Sequence, residues 1–200
     1  MHDHHDRLTI LMMGNPNVGK SALFNRLTGA NAVVSNYPGT TVDVTKGSLR
    51  KDRHSYEIID VPGAYSLEAR DAAEEVAVRI LDTHPDAVVM IILDATRVER
   101  GLYLALEVIE RGAPCIVALN MMDVAQDKQI AVDTAEMQRV LGIPVVATTA
   151  ISAEGVKHLA DMIRKAQVAD LSAIRSRLNG QEPDQGAVAR CAGCGGGGCR

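Results

Sequence analysis

Gly14-Asn15-Pro16-Asn17-Val18-Gly19-Lys20-Ser21 has the spacing Gly-x-x-x-x-Gly-Lys-Ser. Backbone N–H groups of such a loop surround phosphates, and the dipole of a following helix adds to the attraction. Lys20 is expected to reach the β- and γ-phosphates of a nucleoside triphosphate, and Ser21 to ligate Mg²⁺. Asp60-Val61-Pro62-Gly63 follows an apolar run, at a strand end, where ligands collect in open α/β sheets. Asp60 is expected to hold Mg²⁺ through a water, and the Gly63 N–H to meet the γ-phosphate. Asn120-Met121-Met122-Asp123 speaks to the base. A carboxylate at Asp123 can accept hydrogen bonds from guanine N1–H and N2–H₂, a donor pair that adenine lacks. A wrong base would leave that buried charge unpaired. Asn120 is expected to bond guanine N7 and to tie neighbouring loops together. A backbone N–H in Thr148-Thr149-Ala150 is expected to bond guanine O6.

The elements that must position these groups alternate along the chain. Strands are expected at 8–13, 42–49, 55–59, 87–93, 115–119 and 144–147. Helices are expected at 21–27, 67–81, 98–111, 134–141 and 156–169. Residues 30–40 are polar and hold Pro38-Gly39, which reads as a long loop. The order implies an α/β fold with a mostly parallel central sheet and right-handed crossovers, helices covering both faces. Three divisions follow: a His/Asp-rich N-terminal tail over 1–7, one nucleotide-binding domain over 8–168, and a linker with a flexible Gly/Cys-rich tail over 169–200.

Composition narrows the function. Of 200 residues, 46% are hydrophobic and 23% charged, which excludes a wholly disordered chain. The net charge of −4, with no basic block, argues against sequence-independent nucleic-acid binding. With one Phe and no Trp, base stacking on exposed aromatics cannot be the main binding mode. The longest apolar run, 87–93, is far short of the roughly 18 residues of a membrane span. No apolar signal region follows Met1, so a cytoplasmic location is expected, where a disulfide framework is disfavoured. Cys191, Cys194 and Cys199 could offer three thiolates to zinc or iron, although a fourth ligand is missing locally. His2, His4 and His5 could hold a divalent cation, and a solvated, biased terminus accounts for either cluster as well. Cys115 reads as a small buried apolar residue.

These motifs, in this order, are those of the small GTP-binding proteins. A narrower resemblance rests on Gly14-Asn15-Pro16-Asn17, Asn36-Tyr37-Pro38-Gly39-Thr40-Thr41-Val42, Asp60-Val61-Pro62-Gly63-Ala64-Tyr65-Ser66-Leu67 and Asn120-Met121-Met122-Asp123. Together they resemble the G domain of the ferrous-iron transport protein B (FeoB) family over about 8–168. The resemblance implies a phosphate-loop nucleotidase fold of the small G-protein kind, hydrolysis of GTP to GDP and phosphate, and a switch linked to ferrous iron transport. It implies Mg²⁺ on Ser21, Asp60 and Thr41, with Thr41 rather than Thr40 as the ligand of the triphosphate state. It places K⁺ on Asn17, so that Lys20, Thr41 and Asn17 carry the catalysis. Gly39, Val61, Pro62 and Met122 complete the GTP site, and Met121 replaces the Lys usual in the wider superfamily, as it does in this family. The implied partner is a membrane iron permease domain or its regulator. Ala64 stands where many GTPases carry a water-positioning Gln, so intrinsic hydrolysis should be slow. Two other functions remain open: a nucleotide-gated binding module that turns over only when a partner completes it, and a metal-sensing adaptor acting through the Cys tail.

Overall fold

Strand β1 (Leu8–Gly14) is apolar almost throughout, and its last five residues are buried, so both of its faces must be covered. The computed structural model describes residues 8–29 and 32–180. The other strands are β2 (Ala32–Asn36), β3 (Asp43–Lys51), β4 (His54–Asp60), β5 (Val88–Asp94), β6 (Cys115–Asn120) and β7 (Val145–Ala147). They form one seven-stranded sheet in the order β2-β3-β4-β1-β5-β6-β7. Strands β4, β1, β5, β6 and β7 are parallel, while β2 and β3 join by antiparallel pairing. This is the mostly parallel α/β architecture that the alternation implies.

Side chains alternate across the sheet with the period of two that strands impose. Leu11, Met13, Val89, Ile91 and Val117 enter one core, beneath α2 (Ala72–Thr83), α3 (Val98–Glu110), α5 (Thr134–Leu141) and α7 (Leu171–Leu178). Ile10, Met12, Met90, Ile92 and Ile116 enter the other, beneath α1 (Lys20–Thr28) and α6 (Val156–Met162). Because the central strands run parallel, the ends that carry Gly14, Asp60 and Asn120 all open on the same edge. Cys115 lies in the first core with no exposed surface, and burial pushes its thiol up to about 12. It is therefore a packing residue and no nucleophile.

Four expectations need correction. Residues 32–36 are a strand rather than part of a loop. All five are exposed, so burial never marks them, and the hydrogen-bonding edge of β3 supplies the order. Helix α2 begins at Ala72, five residues later than expected, because Asp71 caps it by accepting from the Glu74 N–H at 2.8 Å. The last amphipathic helix stops at Met162, with a 3₁₀ turn over Ile163–Lys165. Gln167 is then drawn against the start of β6, where it exchanges backbone hydrogen bonds with Cys115. Finally, part of the expected linker is helix α7, whose Ile174 is 4% exposed and packs into the first core. A further short helix, α4 (Met122–Asp127), was not anticipated. His2, His4, His5 and the Cys191, Cys194 and Cys199 cluster lie outside the described residues.

Gly47 of β3 sits against α1, the helix that follows the phosphate loop. A Cβ there would come 2.6 Å from Thr28 Cγ2 and 2.9 Å from Phe24 Cζ. Gly47→Ala is expected to cost about 1–3 kcal/mol through overpacking. The check is a lower urea midpoint with an unchanged denaturant slope.

Candidate functional site

The loop over 14–21 owes its shape to two close approaches. A Cβ on Gly14 would lie 2.6 Å from the Ile92 carbonyl oxygen, and one on Gly19 would lie 2.3 Å from Asn120 Nδ2. Gly19 also has φ of 82°, a left-handed conformation that glycine adopts without strain. It caps α1 without any side-chain bond, so the first N–H groups of that helix have no intrahelical acceptor. They are donors for an anion at the helix start. Asn17 also has positive φ, 67°. Its amide is exposed and makes no hydrogen bond among the described residues.

Lys20 Nζ forms an ion pair with Asp60 Oδ1, and Ser21 Oγ lies 3.4 Å from Asp60 Oδ2. Asp60 is brought there because the chain continues along β1 after β4 ends. The Val61 N–H donates to the Met12 carbonyl at 3.1 Å and the Ala64 N–H to the Gly14 carbonyl at 3.2 Å. Gly63 consequently lies beside Pro16, whose Cα would be 3.2 Å from an added Cβ. A carboxylate and a hydroxyl converging next to a lysine suit a hard, oxygen-seeking cation with its phosphate ligands. Pro16, Asn17, Lys20, Ser21, Gly63 and Met121 line one cavity of about 470 Å³.

Asn120 joins this region to the base end. Its side chain makes three bonds: Nδ2 donates to the Val18 carbonyl at 2.9 Å, and Oδ1 accepts from Thr148 Oγ1 at 3.2 Å and from the Ala150 N–H at 3.1 Å. The loop-tying role expected of Asn120 is therefore visible. The Ala150 N–H is committed to Asn120 here. Met121, at φ of 63°, turns the chain into α4, so Asp123 falls in the first helical turn. Asp123, Met122, Thr148 and Thr149 share a second cavity of about 550 Å³. The segment holding Gly39, Thr40 and Thr41 does not join these groups. Thr40 Oγ1 donates to the Tyr37 carbonyl at 3.0 Å and accepts from the Val42 N–H at 3.2 Å. Thr41 is exposed and takes no part in the hydrogen bonds around Lys20, Ser21 and Asp60.

A phosphate loop at the end of β1, an Asp at the end of β4 and an Asn that ends β6 with an Asp three residues on define the class: a P-loop α/β domain of the GTP-binding-protein kind. The chain belongs to the FeoB family, whose sequence profile, described as "Ferrous iron transport protein B", matches residues 8–163. It is 38% identical over 157 residues to the Fe(2+) transporter FeoB of Salmonella typhimurium, a match covering 76% of this chain and 20% of that protein. It is 42% identical over 154 residues to Fe(2+) transporter FeoB of Legionella pneumophila, covering 74% and 20%. The chain thus spans about 20% of the length of these relatives. Among solved structures, a mutant S. thermophilus NFeoB bound to GDP superposes with a TM-score of 0.76 at 37% identity, over 80% of this chain and 63% of that one. The cytosolic domain of L. pneumophila FeoB gives 0.77 at 36% identity, over 86% and 71%.

Two further carboxylates shape the site, and neither was singled out in the sequence. Glu74 is 5% exposed. Its Oε1 accepts from the Tyr65 and Ser66 N–H groups at 3.1 and 3.2 Å, and its Oε2 from the Arg70 N–H at 3.0 Å. Glu107 Oε2 accepts from the Leu67 N–H at 2.8 Å. Together they hold the segment after Gly63. The signal was Asp71-Ala72-Ala73-Glu74, a helix-start pattern. Glu74→Gln puts an NH₂ where one carboxylate oxygen now accepts. That variant is expected to lose about 1–3 kcal/mol and to raise amide hydrogen exchange locally across 65–70.

Proposed function

We propose that this chain binds GTP and GDP and hydrolyses GTP to GDP and phosphate, serving as the nucleotide switch of a ferrous iron transport system. The observation that carries this reading is the Asn120 amide, which ties the phosphate loop to the loop after β7 beside Asp123. Groups suited to phosphate and groups suited to guanine are thereby fixed in one frame. Domain 8–168 does this work, with α7 fastened to it. The relatives named as Fe(2+) transporters are about five times longer than the matched part, so the proposed partner is a membrane iron permease domain or its regulator. No helix among the described residues is long and apolar enough to cross a membrane, and the proposed location is cytoplasmic.

In this reading Lys20 exchanges Asp60 for the β- and γ-phosphate oxygens, and the first N–H groups of α1 donate to the same phosphates. Ser21 and Asp60 would hold Mg²⁺, with Thr41 joining only in the triphosphate state; the ion would supply charge neutralisation across the β- and γ-oxygens. Asn17, whose amide oxygen meets no donor among the described residues, would hold K⁺, which would offset charge on the β–γ bridge. The Gly63 N–H meets the γ-phosphate. Water attacks the γ-phosphorus, the bond to the bridging oxygen breaks, and GDP and phosphate leave. Ala64 is 1% exposed and has no side-chain acceptor to orient that water, so turnover by the chain alone is slow. The same observation supports the second reading, a nucleotide-gated module that a partner must complete.

Asp123→Asn removes the acceptor pair for guanine N1–H and N2–H₂. GTP affinity is expected to fall by orders of magnitude while xanthosine nucleotides gain, measured by competition titration. Unchanged GTP affinity would refute the base assignment. Replacing Na⁺ by K⁺ is expected to speed single-turnover hydrolysis at least about tenfold, about 1.4 kcal/mol of barrier. Asn17→Ala should abolish most of that gain while GTP binding stays near normal. Equal rates in the two salts would leave the partner-completed module as the function.

A further inference from the structure

Arg26 lies in the last turn of α1 and does not belong to any of the motifs. Its Nε donates to the Ala150 carbonyl at 2.9 Å, and its Nη2 donates to the Ile151 carbonyl. One guanidinium thus grips two consecutive carbonyls of a loop 124 residues away in sequence, a use that fits its rigid planar fork. On the other side of the same residue, the Ala150 N–H donates to Asn120 Oδ1. Ala150 is therefore clamped from both peptide faces. The rest of the loop is closed by the Thr149 N–H bonding the Glu154 carbonyl at 3.0 Å. Beyond the clamp it stands in solvent: Ile151 is 76% exposed. A cation near a helix C-terminus gains from the dipole alone, but a dipole requires no fork aimed at two particular carbonyls.

We propose that Arg26 is a positioning residue that fixes the loop after β7, and so sets how firmly the guanine O6 edge is held and how fast guanine nucleotide leaves. This rests on the GTP-site reading above. In that reading Asp123 takes the N1 and N2 donors of the base, and the Ala150 N–H, which here donates to Asn120 Oδ1, exchanges that acceptor for O6. The place of that N–H depends on Ala150 itself, whose carbonyl Arg26 grips. The clamp touches the guanine segment only through backbone carbonyls, at Ala150 and Ile151.

The test uses the full chain and a fluorescent GDP, with release followed by stopped flow. Arg26→Ala is expected to speed release at least about fivefold, since charge-assisted bonds are lost at a partly exposed site. Arg26→Lys keeps one charged donor and should fall between the two. Affinity is also measured for 2-aminopurine riboside diphosphate, which has no O6. With it, the Arg26→Ala loss should shrink to less than about twofold. Release unchanged in Arg26→Ala would overturn the proposal. Equal losses for both nucleotides would also overturn it, because they would mark general loosening. If the parent chain failed to hold GDP at all, the GTP-site reading itself would fall.

Discussion

The amide of Asn120 is the constraint on which the rest of the site depends. It is 2% exposed, and every hydrogen bond it makes crosses between chain segments. A buried amide of this kind costs roughly 1–3 kcal/mol for each partner removed. Its bonds can form only if β1, β6 and β7 end at matching heights. The registers Met13–Ile91, Asp94–Asn120 and Leu119–Ala147 deliver that alignment. The same amide explains Gly19, because any side chain there would collide with Nδ2. Thus a sheet register, a glycine and a polar triad form a single requirement rather than three.

The Lys20–Asp60 pair is a second, different kind of constraint. The two side chains are 12% and 10% exposed, so each has lost most of its water. A pair in that setting gains little net stability, because desolvation offsets attraction. Its significance lies in placement. Lys20 starts α1 and Asp60 ends β4, so opposite charges from two elements are stored at the phosphate end of the site. An arriving polyphosphate with a divalent cation can satisfy both charges while they exchange partners. The site therefore does not have to bury an isolated charge in either state.

Much of this was legible in the sequence because it rests on local needs. The phosphate loop shows itself through glycines at fixed spacing, and β5 and β6 through apolar runs that only doubly covered strands carry. What escaped notice depended on partners far along the chain. Strand β2 has no buried face, so no alternation of apolar residues could announce it. Helix α7 buries only Ile174 fully, and eight residues with so short an apolar face look like linker. The roles of Glu107 and Arg26 arise from contacts across 40 and 124 residues, which no local pattern encodes. Glu74 differs in kind: its spacing from Asp71 is a local helix-start pattern, although the helix was expected to begin at 67.

The two segments that the proposed function brings to the γ-phosphate, the one after Gly63 and the one that leads to Thr41, are held by unlike forces, and this divides their behaviour. The chain after Gly63 is fastened by two carboxylates, one nearly fully buried, that accept N–H groups at Tyr65, Ser66, Leu67 and Arg70. Moving it strands a charge or several donors at once, so it should shift as a unit if it shifts at all. The segment before Thr41 is held by a backbone ladder to β3 at the outer edge of the sheet. The side chains of β2 stay in water, with Val33 at 68% and Val34 at 63% exposed. Peeling β2 away uncovers little apolar surface, and solvent can replace each ladder bond, which is the signature of low local stability. Thr41 follows this weakly held strand. Under the proposed function, the residue that would travel to the cation site is therefore carried by the part of the sheet that costs least to rearrange.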